Sequence, residues 1–281
     1  MPVATPQDLD ALVARRLEDG ALDLPMLPSA MTETLALCQS ETADAPKLSQ
    51  VIHRDPTLAA NVLKVANSAA FALPSPCASL QQAVARLGLS RIAEIALALC
   101  VRGTVFAEPS CRDALARLWQ HAALTACFAR ETARILRRNV ETSFLCGLLH
   151  DAGKAVLLTN LHNDLGQGGV ELHDLAGVLH ARHEEAGARL AAAWKLPAPV
   201  AAAIAHHHEP ERAGAHASFA AIASLADLLA HFVDADSDGA MPHAEAIRRH
   251  PTIAMLNLYP DQLQGLFALA QKARAAAEGL S

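Results

Sequence analysis

The residues best suited to chemistry lie in Leu145-Cys146-Gly147-Leu148-Leu149-His150-Asp151-Ala152-Gly153-Lys154. An imidazole and a carboxylate side by side, closing an apolar helix ahead of a glycine, offer a divalent metal two adjacent ligands in a protein-enclosed place. Alone the pair is a weak signal, because a helix C-terminus finished by two polar residues gives the same dipeptide. Other residues of the same types keep it company. His121 shares a helical stripe with Leu118, Thr125 and Phe128, a partly apolar face on which a lone histidine is ordinarily a hydrogen-bonded core residue. His183 opens His183-Glu184-Glu185-Ala186-Gly187, where an exposed helical position is the plain account. His206-His207-His208-Glu209 follows an apolar helix end, and imidazoles there suit the free carbonyls as a surface cap. Asp227 lies inside Ile222-Ala223-Ser224-Leu225-Ala226-Asp227-Leu228-Leu229. A buried carboxylate needs a partner, a proton or a metal, and a hydrogen bond to His231 one turn on would meet that need.

Elements that could position these groups are helices. The chain has 281 residues, 52% of them hydrophobic and mostly Ala and Leu, with only 4% aromatic, so helix is strongly favoured over strand and an all-α fold is expected. That apolar fraction excludes general disorder. The net charge of -6, with no basic block longer than Arg137-Arg138 or Arg248-Arg249, gives no footprint for a phosphate backbone, so no direct nucleic-acid binding is expected. Six cysteines, Cys38, Cys77, Cys100, Cys111, Cys127 and Cys146, are scattered among apolar neighbours and read as reduced thiols of a cytosolic protein. Residues 1–20 mix charges with leucines and lack the apolar run of a signal peptide, so a cytoplasmic location is expected. The charge-poor stretch from Ala217 to Val233 is short for a bilayer and contains Asp227; it reads as a buried helix, with no membrane span.

Pro, Gly and capping residues cut the chain into helical lengths. Expected helices run over Leu9 to Leu17, from a Ser29 cap through Leu35 and Cys38, Lys47 to His53, from Asp55-Pro56 to Ala66, from a Ser79 cap to Leu87, and from a Ser90 cap over Arg91 to Arg102. Asn67 is expected to close its helix in a left-handed conformation, followed by a Pro-rich loop from Leu73 to Ser79. Further helices are expected over Arg112 to Leu136, Glu141 to Leu149, Ala152 to Asn160, Leu172 to Trp194, Ala198 to His206, Ser218 to Val233 and Pro260 to Ala277. Thr104 to Asp113 is the best internal boundary, and of the fourteen histidines only His53 precedes it. The two halves therefore face different chemical demands.

The order of these elements resembles the HD superfamily of metal-dependent phosphohydrolases: a helical His, then His-Asp-x-Gly-Lys, then His with Gly four residues later and Trp194-Lys195-Leu196-Pro197, then His-His-Glu, then Asp on an apolar helix. The first half adds Leu24-Pro25-Met26-Leu27-Pro28, Val51-Ile52-His53-Arg54-Asp55-Pro56, Ala66-Asn67-Ser68-Ala69-Ala70-Phe71 and Ala83-Val84-Ala85-Arg86-Leu87-Gly88. Together they resemble the HDOD domain, an HD-related output domain of bacterial signalling proteins, over roughly Ala21 to His231. The resemblance implies a two-lobed helical fold, with an N-terminal lobe over 21–108 and an HD-like helical bundle over 109–235. Helical extensions over 1–20 and 236–281 would flank them. It also implies metal ligands at His121, His150, Asp151, His183, His207, His208 and Asp227, with His206 outside the set. Lys154 would contact a phosphate, so Asp151 and Lys154 are the candidate catalytic residues. Imidazoles and carboxylates suit Fe, Mn or Zn, and more than four ligands implies a binuclear site.

HDOD domains are generally regarded as lacking established phosphohydrolase activity, and the Gly-Tyr-Pro signature of the related cyclic di-GMP phosphodiesterases does not occur here. After His-His-Glu the chain reads Pro210-Glu211-Arg212-Ala213-Gly214, and its single tyrosine, Tyr259, follows Leu258. The function implied is a non-catalytic regulatory module of signal transduction that binds protein partners through apolar helix surfaces. The alternative is a metal-dependent phosphohydrolase acting on a nucleotide or other phosphoester.

Overall fold

Side-chain caps written into the sequence start many of the helices. In the computed structural model, which describes residues 5–38, 44–68, 71, 75–165, 172–234 and 244–280, every regular element is helical and no strand occurs among those residues. Thr5 and Asp8 form a reciprocal capping box at the start of α1 (Pro6–Glu18). Asp44 caps α3 (Ala45–His53), and the Asp55 carboxylate accepts from the backbone of Thr57 and Leu58 ahead of α4 (Pro56–Ala66). Ser79 caps α5 (Leu80–Leu87), which stops at Gly88, a residue at φ 88° where a side chain would be strained.

Two expected caps fall elsewhere. Ser29 is the first residue of α2 (Ser29–Cys38), because the carbonyl of Pro28 accepts from Met31 and Thr32 and so begins the helix one residue early. Ser90 lies within α6 (Leu89–Val105), whose N-cap is Gly88 with no side-chain bond. Asn67 is not left-handed; it sits at φ −92°, and its amide instead exchanges hydrogen bonds of 2.6 and 3.0 Å with the backbone of Cys77. The segments 69–70 and 72–74, the second of which takes in the first two residues of the Pro-rich loop, lie outside the described residues.

After a 3₁₀ turn at Pro109–Cys111 come α7 (Arg112–Ile135), α8 (Val140–Leu149), α9 (Ala152–Leu165), α10 (Leu172–Ala193) and α11 (Ala198–His206). A second 3₁₀ turn, Pro210–His216, leads into α12 (Ala217–Asp234), followed by α13 (Ala244–Arg248) and α14 (Pro251–Met255). The single final helix expected from periodicity is two, α15 (Pro260–Ala268) and α16 (Ala270–Glu278). They join at Leu269, where no Pro or Gly announces the break.

Among the early helices, α6 packs against α2, α4 and α5; later, α7 packs on α8 and α12, α9 on α10, and α11 fits among α8, α10 and α12. The length and hydropathy of α12 with the turn before it would suit a membrane span, but Ile222, Leu225 and Leu229 are wholly buried in the protein. A charged cluster joins α6 to α7. Buried Glu94 contacts Arg91 at 2.7 Å and Arg130 at 3.6 Å, and Arg130 also bonds Glu131 at 2.9 Å. Burial raises the Glu94 carboxyl, and these guanidiniums oppose it.

The N-terminal residues are tied to the helices that carry the chemistry. Leu9, Val13 and Leu17 are buried as α1 lies on α10, where Arg182 makes a bidentate bond of 2.7 and 2.8 Å to Asp10. Trp194 donates its indole N–H to the Pro25 carbonyl at 2.7 Å, which connects the Leu-Pro motif near the start to the Trp-x-Leu-Pro motif far along the chain. Asn160, on α9, accepts from Arg16 and the Asp23 N–H and donates to the Asp23 and Val156 carbonyls. Since that amide is only 2% exposed and fully bonded, Asn160→Ala is expected to cost about 2 kcal/mol of stability, read from the urea unfolding midpoint.

Candidate metal centre

Five segments deliver the predicted ligands. The joint between α8 and α9 carries His150 and Asp151, α7 carries His121 and α10 carries His183. His207 and His208 follow the end of α11, and α12 carries Asp227. The structure brings all seven together. Asp151 Oδ1 lies 3.4 Å from His183 Nε2 and 3.7 Å from His207 Nε2, while Oδ2 lies 3.5 Å from His150 Nε2. Asp227 Oδ1 is 2.8 Å from His121 Nε2 and 3.5 Å from His150 Nε2. His183 Nε2 is 3.2 Å from His207 Nε2 and 3.1 Å from His208 Nε2.

Backbone bonds fix which ring nitrogens face inward. His150 Nδ1 meets the Gly147 carbonyl at 2.8 Å, His183 Nδ1 the His180 carbonyl at 2.7 Å, and His207 Nδ1 the Ile204 carbonyl at 3.3 Å. A carbonyl only accepts, so Nδ1 carries the proton, and a neutral ring then turns a bare Nε2 lone pair to the centre. Lone pairs of His183 and His207 facing each other at 3.2 Å repel, and a cation between them removes the conflict. Two buried atoms of this site, His150 Nε2 and Asp151 Oδ1, have no hydrogen-bond partner among the described residues. These orphaned acceptors and the donor set fit a divalent metal. The close groups are Asp151 with His183 and His207, and His121 with His150 and Asp151. His121 with Asp227 and His231, and His180 with His183 and His208, complete them.

The model of the HDOD domain matches residues 24–210. The chain belongs to the HDOD family. Among solved structures, this HDOD protein is similar to an HDOD domain protein of unknown function from Geobacter sulfurreducens, with a TM-score of 0.75 and 20% identity over 96% of this chain and 99% of that one. It is also similar to a protein provisionally named a metal-dependent phosphohydrolase from Shewanella amazonensis SB2B, with a TM-score of 0.71 and 18% identity over 97% and 99% of the two chains. A protein provisionally named a signal transduction protein from Marinobacter aquaeolei VT8 has a TM-score of 0.71 and 22% identity over 98% of this chain and 65% of that one. These likenesses establish the fold. An uncharacterized protein of Treponema pallidum (strain Nichols) is 27% identical over 236 residues, 80% of this chain, and this chain spans 45% of its length.

In this HDOD protein the charges are arranged as a metal requires. Burial would raise the Asp151 carboxyl, but positive charge at His150, when that ring is protonated, and at Lys154, whose Nζ lies 2.5 Å from Oδ2, holds it below the usual carboxylate range. Burial opposes Asp227 likewise, and the hydrogen bond to His121 holds it well below that range. Burial pushes His183 down to about 4 and His207 well below its ordinary value, so both are neutral at pH 7. His121 differs. Burial disfavours its charge, yet hydrogen bonds to Asp227 and Asp234 raise it to about 9.

Three residues depart from their plain sequence accounts. His183 and His207 are 1% and 0% exposed, so neither is a surface histidine, although His207 does cap α11 through the Ile204 carbonyl. Asp227 has His231 Nε2 at 3.3 Å, as the one-turn spacing suggests, but its closer partner is His121 from another helix. His206, at the end of α11, belongs to none of the four close groups. Sequence reasoning gave His180 no role and His231 only that of a partner to Asp227. Their signal was the helical spacing itself, three residues before His183 and four after Asp227.

Proposed function

We propose that this HDOD protein is a regulatory module of bacterial signal transduction, two-lobed, whose HD-like pocket holds divalent metal as a structural or sensing element and does not turn over a substrate. The observation that carries this reading is the burial of four of the seven ligands: His150, Asp151, His183 and His207 are all 3% exposed or less. Apart from them, a cavity of about 520 Å³ lies between α4, α6 and the end of α16, where Lys64, Arg102 and Arg112 are among its walls.

His121, His150, Asp151, His183, His207, His208 and Asp227 would hold Fe, Mn or Zn in a mononuclear or binuclear arrangement. When bound, such ions supply Lewis acidity toward phosphoryl oxygens. The protein's own part is to hold Asp151 and Asp227 ionised, keep His183 and His207 neutral, and exclude water from their nitrogens. Output passes to protein partners in the cytoplasm, with no nucleic-acid contact and no membrane span. The acidic balance without basic runs supports this.

One observation favours phosphohydrolysis of a nucleotide or other phosphoester as a second reading. Lys154 is held at Asp151 with its side chain 18% exposed, as a residue that meets a phosphate would be. Purification without chelator or affinity-tag metal, followed by metal analysis and a nucleotide and phosphodiester panel, separates the readings. Metal without turnover is the expected result. Turnover lost in Asp151→Ala would establish the hydrolase, and less than about a tenth of an ion per chain would overturn both, since a site of this ligand chemistry binds tightly.

A further inference from the structure

Four imidazoles lead from the surface to the interior along one side of the site. His180 and His208 are exposed, and His183 and His207 are buried. His180, His183 and His208 place a nitrogen each within 4.8 Å of one another, and so do the ligand atoms of Asp151, His183 and His207. The two groups share His183. Its Nε2 lies 3.1 Å from His208 Nε2 on the outer side, and 3.2 Å from His207 Nε2 and 3.4 Å from Asp151 Oδ1 on the inner side. Its Nδ1 is occupied by the carbonyls of Leu179 and His180, so one nitrogen serves both groups. One lone pair binds one ion. The two groups are therefore alternatives that cannot be filled through His183 at once.

Resting on the metal-holding reading above, we propose that His180, His183 and His208 form a loading station, where a divalent ion is first captured from solvent and then passed inward through the shared His183. Capture outside and exchange through a common ligand resolves an obstacle set by the fold. An ion must shed its water before reaching nitrogens that are almost wholly covered, and exposed imidazoles let it do so in steps. The inner group adds the Asp151 carboxylate, which the outer one lacks, so the ion moves toward negative charge. Glu184 steadies the outer group by accepting the His208 backbone N–H at 3.1 Å.

The test follows Co²⁺ uptake by metal-free protein through the growth of its visible absorption, in the wild-type chain, His180→Ala and His53→Ala. His180 is exposed on α10, so its removal leaves the fold intact, and His53 is an exposed imidazole on α3 that belongs to none of the close groups. The expected result is uptake slowed about tenfold in His180→Ala, on the scale of losing one supporting metal contact, with final stoichiometry unchanged and His53→Ala loading at the wild-type rate. An unchanged rate in His180→Ala overturns the proposal. Lost stoichiometry in that variant also overturns it, because His180 would then be a ligand of the resting site. A wild-type chain that takes up no Co²⁺ fails differently, and overturns the metal-holding reading itself.

Discussion

Asp151→Ala is expected to weaken divalent-metal binding about a hundredfold or more, beyond the tenfold to hundredfold typical of losing a supporting contact. Asp151 lies within reach of three histidines and Lys154, and its Oδ1 has no hydrogen-bond partner among the described residues. Alanine removes the negative charge and leaves the Lys154 ammonium facing the same space, so a cation loses an attraction and meets a repulsion. Asp151→Asn keeps the volume and one oxygen but not the charge, and should fall between alanine and wild type. Competition with a chromophoric chelator gives the affinities, and circular dichroism confirms that helicity is retained. Binding within a few-fold of wild type in Asp151→Ala would remove Asp151 from the site, because no ligand of a buried centre is that dispensable.

Gly153→Ala should be more damaging to the fold, at about 3 kcal/mol or more, the upper end of what overpacking costs. A Cβ at residue 153 would come within 2.0 Å of the His183 carbonyl oxygen and 2.7 Å of the Gly187 nitrogen. Both are backbone atoms of α10 and cannot swing aside, so α9 and α10 must separate. His183 moves with α10, and metal affinity should fall together with stability although no ligand has been touched. Gly177→Ala is the control on the partner helix α10, with nothing among the described residues within 4 Å of an added Cβ. Replacing an exposed helical glycine there should stabilise by about 0.5–1 kcal/mol. Urea midpoints for the two variants moving in the same direction would show that the contact between Gly153 and Gly187 does not govern the crossing.

These two glycines show what a sequence does and does not disclose. Their positions were visible, one following His-Asp at a fixed offset and one four residues after His183, but their contact depends on how α9 crosses α10. Local chemistry was legible where it acts within a few residues. Asp55 ahead of Pro56 and Ser79 three residues before Gln82 cap their helices as their types dictate. Ser90 failed for a reason of the same range: Gly88 had already turned the chain, and the helix began at once behind it. Asn67 failed for a longer-range one, since its amide is spent on Cys77 ten residues away. The candidate ligands were legible mainly through the family resemblance, because periodicity alone left His183 and His207 as surface residues. His180 and His231 needed the tertiary arrangement, as helical spacing makes them neighbours of a ligand without making them face the same space.

The carbonyl beneath each inner imidazole has a mechanical consequence. His150, His183 and His207 are each anchored to a carbonyl three or four residues earlier on their own helix, so the direction of every ring belongs to one helix alone. What the helices share is only the space between the rings. An ion in that space would act as a removable crosslink, closing chain loops as a disulfide does but reversibly and between several helices at once. The arrangement of α8, α10 and α11 would then be stiff or slack according to occupancy, turning metal supply into a difference of shape that another protein could feel.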